Sequence, residues 1–215
     1  MIKRAKPEFS RKPTFEAEMD FLNRGYRLIA GLDEAGRGAL AGPVAAAAVI
    51  LPLPLKATWR DEIRDSKQLT PARREYLYCR IQEAAVAVGI GMVPHDIIDG
   101  HNIVTATRLA MRLAVADLTT APQSLLIDYL RLSEIPLPQL SITRGDQRCF
   151  SIACASIIAK VARDRLMSRL DQVYPGYGLA AHKGYGTQGH LHHLHQRGPC
   201  PIHRRSFAPV REACH

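Results

Sequence analysis

The chain has 215 residues, 47% hydrophobic and 23% charged, with 29 Lys plus Arg against 20 Asp plus Glu and a formal net charge of +9. That length suits one domain with a small C-terminal appendage, and the hydrophobic share is ample for a core. No apolar run reaches the roughly 18–20 residues of a membrane span, and the basic N-terminus lacks the apolar stretch of a secretory signal.

A basic balance of this size favours a polyanionic partner, most often nucleic acid. The arginine-rich segments 60–74, 144–169 and 197–211 are spread along the chain, which suits a groove lined from several elements. The five cysteines are odd in number and contain no C-x-x-C, so a disulfide framework or zinc ribbon is not expected. A reducing cytoplasm is the simple reading.

Residues 1–26 are sparse in apolar residues and are expected to form a partly disordered lead-in. Two strands are predicted over 27–34 and 43–51, joined by the turn Gly36-Arg37-Gly38. Residues 52–69 read as a loop. Thr70-Pro71 starts a helix to about Ala85, with Thr as N-cap and Pro at the first helical position. Val86–Val93 reads as a third strand, and His95–Asp99 as a short helical turn. Asn102 can cap the next helix, with Ile103, Ala106, Ala110 and Leu113 on one face. Ser124–Asp128 and Leu140–Thr143 are short strands, and a long helix over Ser151–Val173 turns Ile152, Ala155, Ala159, Ala162 and Leu166 inward. A helix near Gln188–Gln196 and an irregular end complete the chain. Strands and helices mix within one unit, so the class is α/β or α+β. The expected division is a catalytic domain over 27–173 with a C-terminal part, 174–215, packed on it.

Four carboxylates are placed alike: Asp33, Glu34 and Asp128 close short apolar runs, and Asp146 follows a glycine. Clustered carboxylates repel one another unless a cation or a proton enters. Hard oxygen ligands without a nearby His or Cys favour Mg²⁺ or Mn²⁺ over Zn²⁺, and two such ions suit phosphodiester hydrolysis. Neighbouring strand residues point to opposite faces, so Asp33 and Glu34 can share a site only if the strand bends or ends there. Each acid taken alone would pass for a surface turn residue.

The runs GLDEAGRGALAGPVAAAAVIL, DSKQLT, LLID, RGD, SIACASIIAKVARDRLM, YPGYGLAAHKGYGT and HRRSFAPV occur in that order over about residues 27–211. Together they resemble bacterial ribonuclease HII, the type 2 ribonuclease H. The resemblance implies a ribonuclease H-like fold: a mixed central sheet flanked by helices, with a helical C-terminal part. It implies endonucleolytic cleavage of RNA in RNA–DNA hybrids and at single ribonucleotides in duplex DNA, leaving 3′-hydroxyl and 5′-phosphate ends. By motif, Asp33, Glu34, Asp128 and Asp146 match the family's metal-binding acids, whereas Asp164, mid-helix among arginines, suits ion pairing. Gly36, Arg37, Gly38 and Tyr185 match the groups that recognise the ribonucleotide, and a close-approaching backbone can read a 2′-hydroxyl. Lys67, Lys160, Lys183, Arg204 and Arg205 are candidates for phosphate contact. Tyr129 stands after Asp128 where the family usually has glycine, which puts the local turn geometry in question.

Other readings are weaker. A dinucleotide-binding loop at Gly36–Gly42 would set Asp33 and Glu34 against a pyrophosphate and is followed by a strand, not a helix. Seven of the nine histidines follow residue 181, but no four-ligand zinc spacing emerges around Cys200 and His203. His190 and His193 share a helix face and read as a surface patch. A non-catalytic basic nucleic-acid-binding protein is the rival from another class; it leaves the four acids without a purpose. Nothing in the sequence signals an oligomer, so a monomer is expected.

Overall fold

The computed structural model describes residues 12–213. Its centre is a five-stranded mixed sheet of β1 (Ile29–Ala35), β2 (Val44–Ile50), β3 (Ala87–Val93), β4 (Ser124–Asp128) and β5 (Gln139–Ile142), in the order β3-β2-β1-β4-β5. β2 runs antiparallel to β1 and β3, while β1, β4 and β5 run parallel. The carboxyl ends of those three therefore share one edge, where open α/β sheets bind their ligands.

β2, VAAAAVI, is buried along its whole length. Alternate residues enter two cores: Ala47 and Val49 on one face, Val44, Ala46, Ala48 and Ile50 on the other. The first core is closed by α2 (Pro71–Ala84) and α5 (Phe150–Val173), the second by α4 (Ile103–Ala116). The caps act as predicted: Thr70 Oγ1 accepts the Arg73 N–H, and Asn102 Oδ1 accepts those of Val104 and Thr105. α3 (His95–His101) extends the expected turn by two residues.

Two predicted faces are rotated. On α4 the buried stripe is Ala106, Thr107, Ala110, Met111 and Ala114, and Leu113 is exposed. The cause is β3, whose Gly89 and Gly91 come so near that a Cβ there would stand 2.1 Å from the carbonyl oxygens of Ala114 and Ala110. Small residues on both sides draw that stripe onto the strand. On α5 every residue from Phe150 to Ala159 is buried, Ala162 and Leu166 are only half-buried, and Arg163 is fully buried in their stead.

Within the expected lead-in, residues 12–26 carry α1 (Glu16–Asn23), which packs Phe21 against Ile29, Leu126 and Ile152; residues 1–11 lie outside the described part. Glu18 of α1 is buried and accepts the Ser151 N–H at 2.7 Å and the Cys149 thiol at 3.2 Å. A carboxylate there meets the unpaired N–H groups and the positive dipole end of α5.

The C-terminal part holds α6 (Leu179–His182), α7 (Gln188–Arg197) and α8 (Ala208–Glu212), the last in the end read as irregular. It grips the β1–β2 connection through bridges from Ala39 to Tyr185 and from Ala41 to His203. No helix among the described residues is long and apolar enough to cross a membrane.

Candidate active site

The parallel pairing of β1 with β4 sets Leu32 beside Ile127, so the next residues come side by side: Asp33, two residues before the end of β1, and Asp128, the last of β4. One carboxylate oxygen each from Asp33, Glu34 and Asp128 lie within 4.8 Å of one another. β1 does not end at the pair, since Ala35 still pairs with Ala45; Asp33 Oδ1 accepts the Glu34 N–H at 2.7 Å. Asp146 reaches the same cavity from the turn after β5, and that turn is fastened by the Gly145 N–H donating to Asp128 Oδ1 at 2.6 Å. Asp146 stands outside the tight trio, with its Oδ2 4.0 Å from Lys67 Nζ.

Burial, followed by the charges of Glu34 and Asp128, drives the Asp33 carboxyl well above the usual carboxylate range. Burial also raises Glu34, with Arg37 opposing at 3.2 Å, and raises Asp128. Asp146 is pushed up to about 6 by burial, and Asp65 adds to the effect. Glu34 Oε2 is buried without a hydrogen-bond partner. An oxygen-only cluster that resists ionisation and keeps an unused buried oxygen fits a hard divalent cation.

The cavity, about 430 Å³, is also lined by Gly36, Arg37, Lys67, Lys160 and Tyr185. Lys183 lies in an adjoining groove of about 480 Å³ that shares Arg74, Lys160 and Tyr185 with the first, and its Nζ donates to Ser168 Oγ at 2.6 Å. Tyr185 Oη accepts the Gly36 N–H at 3.2 Å. Gly36 has φ +89°, and a Cβ there would stand 2.0 Å from Arg163 Nε; a Cβ on Gly38 would meet nothing within 4 Å. The first glycine is required by the fold itself, whereas the second is exposed and is not among the residues that line the cavity.

Asp164 pairs with Lys160 at 2.7 Å and with Arg74 at 3.8 Å, away from the acid cluster. Arg204 is not a surface cation: it is fully buried and donates to the Gly42 and Arg37 carbonyls at 3.0 and 2.8 Å. Arg205 is exposed, and its N–H donates to Asp99 Oδ2 at 2.8 Å. His190 is likewise buried, not part of a surface patch. Tyr129 adopts φ +56°, the left-handed region that glycine enters freely, and Asp128 keeps its place. Asp65 was missed: its Oδ1 accepts the Lys67 N–H at 2.9 Å and its Oδ2 accepts Gln147 Nε2 at 3.3 Å, which ties the two loops together. The available signal was its place before Ser66-Lys67, where an Asp caps a tight turn.

The family model for ribonuclease HII matches residues 30–210. The chain belongs to the ribonuclease HII family. Ribonuclease HII from Dehalococcoides mccartyi (strain BAV1) is 59% identical over 93% of this chain and 94% of its own length. The enzyme of Geobacter sulfurreducens is 55% identical over 88% and 86%. The crystal structure of ribonuclease H2 from Pyrococcus horikoshii OT3 superposes with a TM-score of 0.73 at 27% identity, covering 86% of this chain and 96% of that one. The sheet and its flanking helices are thus a ribonuclease H-like fold. As a ribonuclease HII, the protein is a metal-dependent endoribonuclease of RNA–DNA hybrids.

Proposed function

We propose that this ribonuclease HII nicks duplex DNA at single embedded ribonucleotides as well as cleaving longer RNA stretches in hybrids. It works by two-metal-ion phosphodiester hydrolysis and leaves 3′-hydroxyl and 5′-phosphate ends. The observation that carries the reading is the contact of Tyr185 Oη with the Gly36 N–H at the rim of the acid cavity. It sets an aromatic ring and a glycine-rich backbone side by side, and groups that read a 2′-hydroxyl need that close approach.

Asp33, Glu34, Asp128 and Asp146 would hold Mg²⁺ or Mn²⁺, which when bound supplies the charge that acidifies water and offsets the leaving oxygen. Around them, Gly36, Arg37 and Gly38 face the ribose and its phosphate, with Glu34 orienting the Arg37 guanidinium. Lys67 and Lys160 supply positive charge on the cavity wall, and Lys183 extends it along the adjoining groove. The basic surface binds the duplex, and the acids bring chemistry to one phosphate. We place the enzyme in the cytoplasm as a monomer.

The test is a duplex with one ribonucleotide, incubated with and without Mg²⁺ or Mn²⁺. Metal-dependent nicking at that position with a 3′-hydroxyl end is expected. Binding without nicking would favour the non-catalytic reading.

A further inference from the structure

Behind Tyr185 stands a buried chain of histidines that the chemistry above does not use. His190 is fully buried, with Nδ1 3.0 Å from the Tyr185 carbonyl oxygen and Nε2 3.0 Å from His203 Nε2. A carbonyl only accepts, so His190 Nδ1 carries the proton and its Nε2 is bare. His203 must then donate from Nε2, which leaves its Nδ1 bare to accept the Cys200 N–H at 3.0 Å, the shorter of its two backbone contacts, the Cys200 carbonyl oxygen lying at 3.3 Å. The Cys200 thiol lies 3.1 Å from the same nitrogen. His182 stacks on His190 with ring centroids 4.2 Å apart; it accepts the Gly184 N–H at Nδ1 and donates from Nε2 to the Tyr177 carbonyl. The Tyr185 carbonyl dictates the tautomer of His190 and, through it, that of His203. The relay runs one way, from the Cys200 N–H through two imidazoles to the Tyr185 carbonyl.

Tyr185 is held in front by its hydroxyl on Gly36 and behind by its carbonyl, which faces His190 and also accepts the Thr187 N–H at 2.8 Å, while its own N–H donates to the His182 carbonyl at 3.0 Å. The backbone before it is set by Lys183 and Gly184, both at positive φ, and the Gly184 carbonyl accepts the Leu40 N–H at 2.7 Å. Loss of either imidazole would leave a buried donor or acceptor unpaired, which costs more than the bond itself contributes. The segment would shift to repair the loss, and Tyr185 would shift with it.

We infer that His190 and His203 are positioning residues for Tyr185, and that their hydrogen bond sets how well the enzyme acts on an isolated ribonucleotide relative to a longer RNA stretch. This rests on the reading of Tyr185 as the group that meets the ribonucleotide. An isolated ribonucleotide offers one 2′-hydroxyl, so its cleavage depends on Tyr185 standing in register with the acids. A longer stretch offers several registers and tolerates a displaced ring.

The experiment measures kcat and KM on two duplexes, one with a single ribonucleotide and one with a run of several. The variants are Tyr185→Ala, His190→Phe and His190→Asn. His190→Phe keeps a ring against His182 but removes both hydrogen bonds, whereas the Asn carboxamide restores an N–H toward the Tyr185 carbonyl. His190→Phe is expected to lower kcat on the single-ribonucleotide duplex about tenfold or more and to change the longer substrate less than about threefold. His190→Asn should recover most of the loss. Equal loss on both substrates, or none on the first, would overturn the inference if Tyr185→Ala is itself selective. If Tyr185→Ala is not selective, it is the reading of Tyr185 that fails. Should His190→Phe not fold, His203→Leu breaks the pair from the other side, and the same ratio decides.

Discussion

Gly145 donates its backbone N–H to Asp128 Oδ1 across 2.6 Å, so the turn that carries Asp146 is fastened to the end of β4. The third and fourth acids therefore move as one unit, while the first two ride on β1. The site joins two parallel strands and one loop, and an ion held among them would brace all three.

Replacing an acid separates chemistry from folding. Asp33→Asn or Asp146→Asn should cut nicking by at least about 100-fold and leave duplex binding largely intact in a gel-shift assay. The same changes should raise the melting temperature of the metal-free protein at pH 8. An Asp whose folded pKa is raised is most favourable to folding at low pH, and that advantage is lost as pH rises through the folded value. For Asp146, moved from 3.8 to about 6, the loss amounts to at most about 3 kcal/mol. Mg²⁺ or Mn²⁺ should restore stability to the parent and have little effect on the variants.

Gly36 and Gly38 should behave differently. Gly36→Ala meets the Arg163 guanidinium and a positive φ, so destabilisation of about 1–3 kcal/mol is expected in a denaturant melt, together with loss of cleavage. Gly38→Ala meets open space and should keep its melting temperature while KM for the duplex rises.

Acid should loosen the histidine relay. His190 and His203 are held neutral, their pKa values lowered to about 4 by burial, with His182, His193 and His95 adding unfavourable charge. Tyr177 and Cys200 are the other titratable groups beside His203. Above pH 6.5 both rings are neutral in either state and contribute no slope. Between 6.5 and about 4 the unfolded chain takes up protons first, so stability falls with falling pH, by at most about 3 kcal/mol for either ring. Protonated His190 would also present an N–H to the His203 N–H. His190→Asn should flatten this slope relative to the parent in urea melts at stepped pH.

Tyr129→Gly should raise stability by about 1 kcal/mol, because it removes a side chain from left-handed backbone. Thermal melts test this, and cleavage should persist because Asp128 stays in place.

What the sequence determined by itself was local. Thr70, Pro71 and Asn102 mark helix starts because a cap needs only its own side chain and the next three residues. Apolar runs mark β1, β2 and β4, and the acids that close the first and the last are visible because a carboxylate has no reason to end a buried run. Packing decided the rest. That Asp33 and Glu34 meet Asp128 depends on the parallel register of strands distant in sequence. That Leu113 faces out depends on the glycines of β3. Arg204 read as a phosphate contact and His190 as part of a surface patch because desolvation and distant carbonyl partners leave no trace in neighbouring residues. The sequence names the groups that carry charge, and only the tertiary structure decides which of them water can still reach.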